Sequence, residues 1–192
     1  MRVVIATGNK NKVREFCEML PDGEVLTMRD AGFEGDIEET GTTYAENAYI
    51  KAKSVWDKTG GLVIADDSGL SIDALNGEPG LYSARYLGEK TPYADKNAAI
   101  LERMKDVPDD RRTARFTCAI CAILPDGSVK QVEETMEGVI ARESSGTNGF
   151  GYDPILFLPE YGKTAAELDP EEKNRISHRG KALHALQKLL KL

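Results

Sequence analysis

A run of branched apolar residues, RVVIA at 2–6, breaks off into Thr7-Gly8-Asn9-Lys10 and then into a stretch of helical periodicity, NKVREFCEML at 11–20, that stops at Pro21-Asp22-Gly23. A strand apolar on both faces must be covered on both faces, so this opening predicts a strand–loop–helix unit in a layered α/β fold. The pattern recurs. A short strand, EVLTM, leads into an acidic loop, and Thr43 with Glu46 three residues on predicts a capping box opening a helix from about 44 to 58, closed by Gly60 and Gly61. On that helix Ala45, Ala48, Ala52 and Val55 form the apolar stripe, with Asn47 and Lys51 four apart on its flank. A second buried strand, LVIA at 62–65, runs into Asp66-Asp67-Ser68-Gly69, and Thr91-Pro92 opens a helix to about Met104. Segments 112–124 and 128–136 flank the hairpin signal Pro125-Asp126-Gly127. They are followed by a strand (EGVIAR), a glycine loop (SSGTNGFGYDP), a strand (ILFLP) and a C-terminal helix beginning near Ser177. The expectation is a single α/β domain over residues 1–192, with a central mixed sheet, flanking helices and sites where strands end.

Composition narrows the function classes. The 192 residues carry 25 Lys plus Arg against 32 Asp plus Glu, a formal charge of −7, which is the wrong sign for a protein that grips a phosphate backbone. No apolar run approaches the roughly 18–20 residues of a membrane span, and no charged-then-apolar leader precedes RVVIA, so a cytoplasmic protein is expected. Cys118 and Cys121 form a C-x-x-C, but within a β-type run they face opposite sides of a strand; with Cys17 they are expected to be ordinary thiols, neither a disulfide nor a zinc site. The charge is segregated. Asp30 to Glu46 holds six acids and no base, while Glu171 to Leu192 holds six bases against two acids, a pattern compatible with plain solvated surface or with a cation and a polyanion held side by side.

Four stretches offer chemistry. Thr7-Gly8-Asn9-Lys10-Asn11-Lys12 follows a strand and opens a helix, so its amides, the helix dipole and the side chains of Thr7, Asn9 and Lys12 could receive an anion, although neither a P-loop nor a dinucleotide glycine spacing is present. Asp66 and Asp67 must point to opposite faces if the backbone there is extended, or else they belong to an Asp-Ser-Gly turn. Glu38-Glu39 adds a carboxylate pair of the hard-oxygen kind that suits Mg²⁺ together with substrate phosphate. In Gly149-Phe150-Gly151-Tyr152-Asp153 the glycines let backbone approach a flat ligand and Phe150 offers a stacking face, unless both aromatic rings return to the core. Near the end, Ser177 is a candidate N-cap that puts His178 and Arg179 in a first helical turn, where cations oppose the dipole and a ligand would explain them. His184 falls on another face and is expected to be structural or at the surface.

Together the segments ATGNKNK, EETGTTYAENAYIKA, ADDSGL, GEPGLYSARYLG, RFTC, GFGYDPILF and KNRISHRGKAL resemble, in order and over nearly the whole chain, the inosine triphosphate pyrophosphatase family, the XTP/dITP diphosphatases. That resemblance implies an elongated two-lobed fold with a cleft between lobes, a homodimer, Mg²⁺ dependence, and cleavage of non-standard purine nucleoside triphosphates (ITP, dITP, XTP) to the monophosphate and pyrophosphate. It assigns the loop Thr7, Gly8, Asn9, Lys10, Asn11 and Lys12, with Lys51, to the triphosphate, and Glu39 and Asp67 to the metal. Asp67 becomes the proton acceptor with Ser68 beside it, while Phe150, Gly151, Tyr152, Asp153, Lys173, His178 and Arg179 go to the base and nucleotide pocket. Donors from His178 or Arg179 at the purine 6-position would favour 6-oxo purines over adenine. A nucleotide sensor without hydrolysis, or a pyrophosphatase of modified pyrimidine nucleotides, would be the alternatives.

Overall fold

The architecture is that of a computed structural model describing residues 2–190. Seven strands form one mixed sheet in the order β2-β1-β3-β4-β5-β6-β7. They are β1 (Arg2–Ile5), β2 (Glu24–Thr27), β3 (Leu62–Ile72), β4 (Thr113–Ile123), β5 (Val129–Ile140), β6 (Leu156–Leu158) and β7 (Lys163–Thr164). The helices are α1 (Lys10–Met19), α2 (Tyr44–Thr59), α3 (Tyr93–Arg103), α4 (Pro170–Ile176) and α5 (His178–Leu190). β1 runs parallel to β2 and β3, placing Val4 opposite both Leu26 and Val63, whereas β5, β6 and β7 pair antiparallel. The expected α/β mixed sheet is therefore present. Among the described residues no helix is long and apolar enough to cross a membrane. Lys191 and Leu192, which close the basic tail, lie outside the described residues.

The chain divides into two compact units. The first comprises the chain up to Asp67, Cys118–Glu134 and the chain from Arg179 onward. Its strands are apolar on both faces because both are covered. Val3, Ile5, Ile64, Cys118 and Ile120 pack with Phe16 of α1 and with Leu183 and Leu186 of α5, while Val4, Ala6, Val63, Ala65, Cys121 and Ile123 pack with Ala48, Ala52 and Val55 of α2. The two buried cysteines thus sit on opposite faces, as thiols in an apolar core whose burial pushes both pKa values up, Cys121 to about 12, and Cys17 is exposed. The second unit, Ser68–Thr117 and Thr135–His178, is built on one core of Leu70, Ile72, Ile100, Phe116, Ile140 and Tyr152 with their neighbours.

Three expectations about elements need correction. β3 does not stop before the aspartates but continues to Ile72, because residues on both sides of Asp66 and Asp67 are buried and the backbone remains extended. Segments 128–136 and EGVIAR are one strand, β5, passing through Gly138, where a Cβ would meet the Phe157 carbonyl at 2.5 Å. A further helix, α4, precedes the last one, capped by Asp169 whose carboxylate accepts from the Glu172 amide, with Pro170 in its first turn. Ser177, extended (φ −66°, ψ 157°), closes α4 and leads directly into α5.

Candidate active site

The pleat of β3 decides what Asp66 and Asp67 do. Asp66 follows Ile64 by two and shares its face, so it meets α1 and α5; Asp67 follows Ala65 and faces α2. Asp66 is fully buried, and its Oδ2 accepts from Lys12 Nζ at 2.9 Å and from Arg179 Nε and Nη2 at 3.1 and 3.0 Å, with the Cys118 thiol 3.8 Å away. Arg179, itself only 2% exposed, also pairs with Glu15 of α1. Desolvation works against the Asp66 charge, yet Lys12, Arg179 and Lys51 outweigh it and hold the carboxyl well below the usual carboxylate range. Asp66 is thus a permanent buried anion that fixes the ammonium of Lys12 at the start of α1.

Asp67 has the opposite character. Asn47 Nδ2 donates to its Oδ2 at 3.1 Å, and Lys51 Nζ lies 3.5 Å from Oδ1 and 2.8 Å from Glu39 Oε1. Burial raises its pKa, Lys51 and Lys12 counter that only in part, and Glu39 pushes in the same direction as burial. The Lys51 ammonium is opposed by desolvation, but Asp67, Asp66 and Glu39 together raise its pKa, so it stays charged. A carboxylate with a raised proton affinity beside a second carboxylate and a buried cation has the make-up of a general base at an ionic site.

The helix-opening loop is arranged differently from expectation. Asn9 is the N-cap of α1: its Oδ1 accepts from the amides of Asn11 and Lys12 at 2.9 and 3.4 Å, and the Thr7 hydroxyl accepts from the Asn9 amide at 3.2 Å. Three amides counted as anion donors are therefore engaged by the loop's own side chains, which shapes the loop and leaves any anion contact there to side-chain donors. Lys10 and Gly8 are exposed and Asn11 is half-buried. The capping box of α2 is also modified. Thr43 accepts from the Glu46 amide at 3.1 Å, but the Glu46 carboxylate returns to the amide and hydroxyl of Thr42, at 2.6 and 2.9 Å, one residue earlier than in the simple motif.

The second unit gathers most of the remaining candidates. Gly149 has φ +72° and a Cβ there would lie 2.2 Å from Asp153 Oδ2, so only glycine lets Asp153 fold back onto the loop. Asp153, 3% exposed, accepts from the Phe150 amide at 2.8 Å and from Lys173 Nζ at 2.7 Å, and that ammonium sits 5.1 Å from the centre of the half-buried Phe150 ring. His178 stacks on Phe116 with centroids 4.8 Å apart and planes at 15°. Tyr152 does return to the core: its hydroxyl donates to the Ser83 carbonyl at 2.6 Å and its ring meets Tyr93 edge-on. Asn97 donates to the Gly151 carbonyl at 3.1 Å and so ties α3 to the loop. Ser68 is half-buried and His184 exposed.

The candidates thus fall into two sets. Thr7, Asn9, Lys12, Glu39, Lys51, Asp67 and the Arg179 guanidinium belong to the first unit, and Ser68, Phe150, Gly151, Tyr152, Asp153, Lys173 and His178 to the second. Sequence reasoning did not foresee Glu15 or Phe116 as partners of Arg179 and His178, nor the tie from Asn97; Asn47 was visible only through its four-residue spacing from Lys51.

Comparison with known proteins agrees with this architecture over almost the whole chain. The chain is 48% identical over 192 residues to the dITP/XTP pyrophosphatase of Desulforamulus reducens, covering 99% of this chain and 96% of that protein. It is 48% identical over 189 residues to the dITP/XTP pyrophosphatase of Listeria monocytogenes, covering 97% and 93%. Among solved structures, the Staphylococcus aureus Ham1 protein superposes with a TM-score of 0.89 at 41% identity, covering 100% of this chain and 98% of that one. A HAM1 protein from Coxiella burnetii gives the same score at 42% identity and the same coverage. With the Ham1 family model matching residues 3–189, the chain belongs to the Ham1 family.

Proposed function

We propose that this protein is a hydrolase that cleaves non-standard purine nucleoside triphosphates, of the ITP, dITP and XTP kind, to the nucleoside monophosphate and pyrophosphate. Relatives that share nearly half of its residues over almost their whole length carry the name dITP/XTP pyrophosphatase. The observation that carries the reading is the placement of Lys51, an ammonium flanked by Glu39 and Asp67: two carboxylates converge on a cation at the face of α2.

Glu39 and Asp67 fit a hard divalent ion such as Mg²⁺, which takes one or two carboxylates and fills its remaining positions with water and substrate phosphate. The two carboxylates, both within 3.5 Å of the Lys51 ammonium, would leave the ion's other positions to water and substrate. Bound there, the ion would supply charge neutralisation and acidify a water.

The chain's own residues divide the remaining work. Lys12, fixed by Asp66, and Lys51 oppose the phosphate charge, aided by Thr7 and Asn9. Asp67, oriented by Asn47, accepts a proton from the attacking water; the new bond forms at the α-phosphorus, the bond to the bridging oxygen breaks, and pyrophosphate leaves. Phe150 offers its face to the purine, with Gly151 and Ser68 in supporting roles, and Lys173 and His178 present donors to a 6-oxo edge. Arg179 instead anchors the start of α5 to Asp66 and Glu15. A homodimer and a cytoplasmic location complete the proposal.

The test is incubation with ITP and Mg²⁺ followed by identification of products. IMP and pyrophosphate in equal amounts support the reading; IDP with orthophosphate, or binding without turnover, would overturn it. Sedimentation equilibrium tests the dimer.

A further inference from the structure

The carboxylates of the first unit share three cations, Arg179 bridging Asp66 and Glu15 and Lys51 bridging buried Asp67 and the partly exposed Glu39. Lys12 and Arg179 serve Asp66, while Lys51 serves Glu39 and Asp67. The Lys51 side chain is only 10% exposed, as is that of Asp67, and the Asn47 amide on Asp67 Oδ2 turns Oδ1 toward the ammonium. Glu39, Asp67 and Lys51 sum to −1. A divalent ion taken up alone would convert this to +1 within a poorly hydrated space, beside an ammonium held within 3.5 Å of both carboxylates. A triphosphate, with about four negative charges at neutral pH, removes that excess and offers the ammonium new acceptors.

Building on the metal assignment above, we propose that Lys51 is an internal counterion that occupies the ion-binding side of Glu39 and Asp67 and must leave it before a divalent ion can settle there. The protein alone accordingly holds its metal weakly. Metal and triphosphate favour each other's binding because the phosphate oxygens draw Lys51 away. Lys51 thereby has two successive partners, the carboxylates in the free protein and the phosphates in the complex, and it makes uptake of the ion conditional on the substrate.

Mn²⁺ serves as the probe, its free fraction followed by electron paramagnetic resonance without nucleotide and without turnover. K51Q and K51M should bind Mn²⁺ about ten- to a hundredfold more tightly than the unaltered protein, and E39Q in the K51Q background should abolish that gain. Inorganic triphosphate should narrow the difference between the unaltered protein and K51Q. Equal Mn²⁺ affinity with and without Lys51, both dependent on Glu39, would overturn the counterion while leaving the metal pair intact. Affinity indifferent to Glu39 and Asp67 in both backgrounds would remove the metal pair and the counterion with it. Should K51Q and K51M lose their thermal transition, Mn²⁺ is expected to restore it, and failure to do so would count against the proposal.

Discussion

Two adjacent aspartates in one strand have opposite surroundings, and stability measurements separate them. Asp66 is locked to Lys12 and Arg179, so D66N leaves two buried cations with a missing partner and is expected to cost about 3–5 kcal/mol in urea or thermal unfolding. Asp67 sits where burial disfavours its charge, so D67N should unfold at or slightly above the midpoint of the unaltered protein. It should nevertheless lose roughly 10²- to 10⁴-fold in kcat as the proton acceptor is removed. A D67N variant that turns over ITP normally would take Asp67 out of the chemistry, and a D66N variant as stable as its parent would show the buried network to be dispensable.

At the level of elements, caps and loops hold the site residues at their stations. Glu46 is held below its ordinary pKa, chiefly by the Thr42 amide and then by the Thr42 hydroxyl. A lowered folded-state value means that its contribution is present above the pKa of the unfolded chain and is lost as pH falls through the folded one. The stability gap between the unaltered protein and E46Q should therefore be open near pH 7 and close on acidification toward pH 3, as read from urea midpoints; a gap that widens in acid would contradict the cap. T43A should cost about 1 kcal/mol by the same assay, since it removes the acceptor for the Glu46 amide. In the glycine loop, G149A forces a Cβ into the Asp153 carboxylate at a left-handed backbone. Disturbing the Asp153 bonds to Phe150 and Lys173 should lower kcat/KM for ITP by about ten- to a hundredfold, with a measurable loss of thermal stability.

For the molecule as a whole, the proposed roles of the base-facing and phosphate-facing residues predict separable defects. Substitutions in the second unit at His178 or Lys173 should compress the preference for ITP over ATP, because an adenine amino group would leave their donors unpaired; a hydrogen-bonding site of this type discriminates by roughly 10⁴. K12A in the first unit should depress kcat/KM for ITP and ATP alike, since a phosphate contact reads no base. Competition assays with both nucleotides decide this, and equal handling of ITP and ATP by the unaltered protein would defeat the assignment of His178 and Lys173.

Much of this was legible along the chain because it depends on local periodicity. RVVIA and LVIA announce strands covered on both faces, Thr43 and Glu46 announce a helix start, Pro125-Asp126-Gly127 a hairpin, and Asn47 and Lys51 share a helix face at any register. The extended alternation of Asp66 and Asp67 was equally local, since neighbouring side chains in a strand must part. Which partner each would meet was not local. Arg179 lies 113 residues from Asp66 and 164 from Glu15, and whether its guanidinium faced a ligand or a buried acid was set by α5 docking against the same face as α1. The strand's run through Asp66 and Asp67, which turn chemistry alone would have ended at Ser68-Gly69, was decided by burial on both sides of it. Local spacing thus determined which residues were available, while the packing of distant helices onto the sheet determined which buried charge each would neutralise, because a charge removed from water takes its partner from whatever the fold brings within reach.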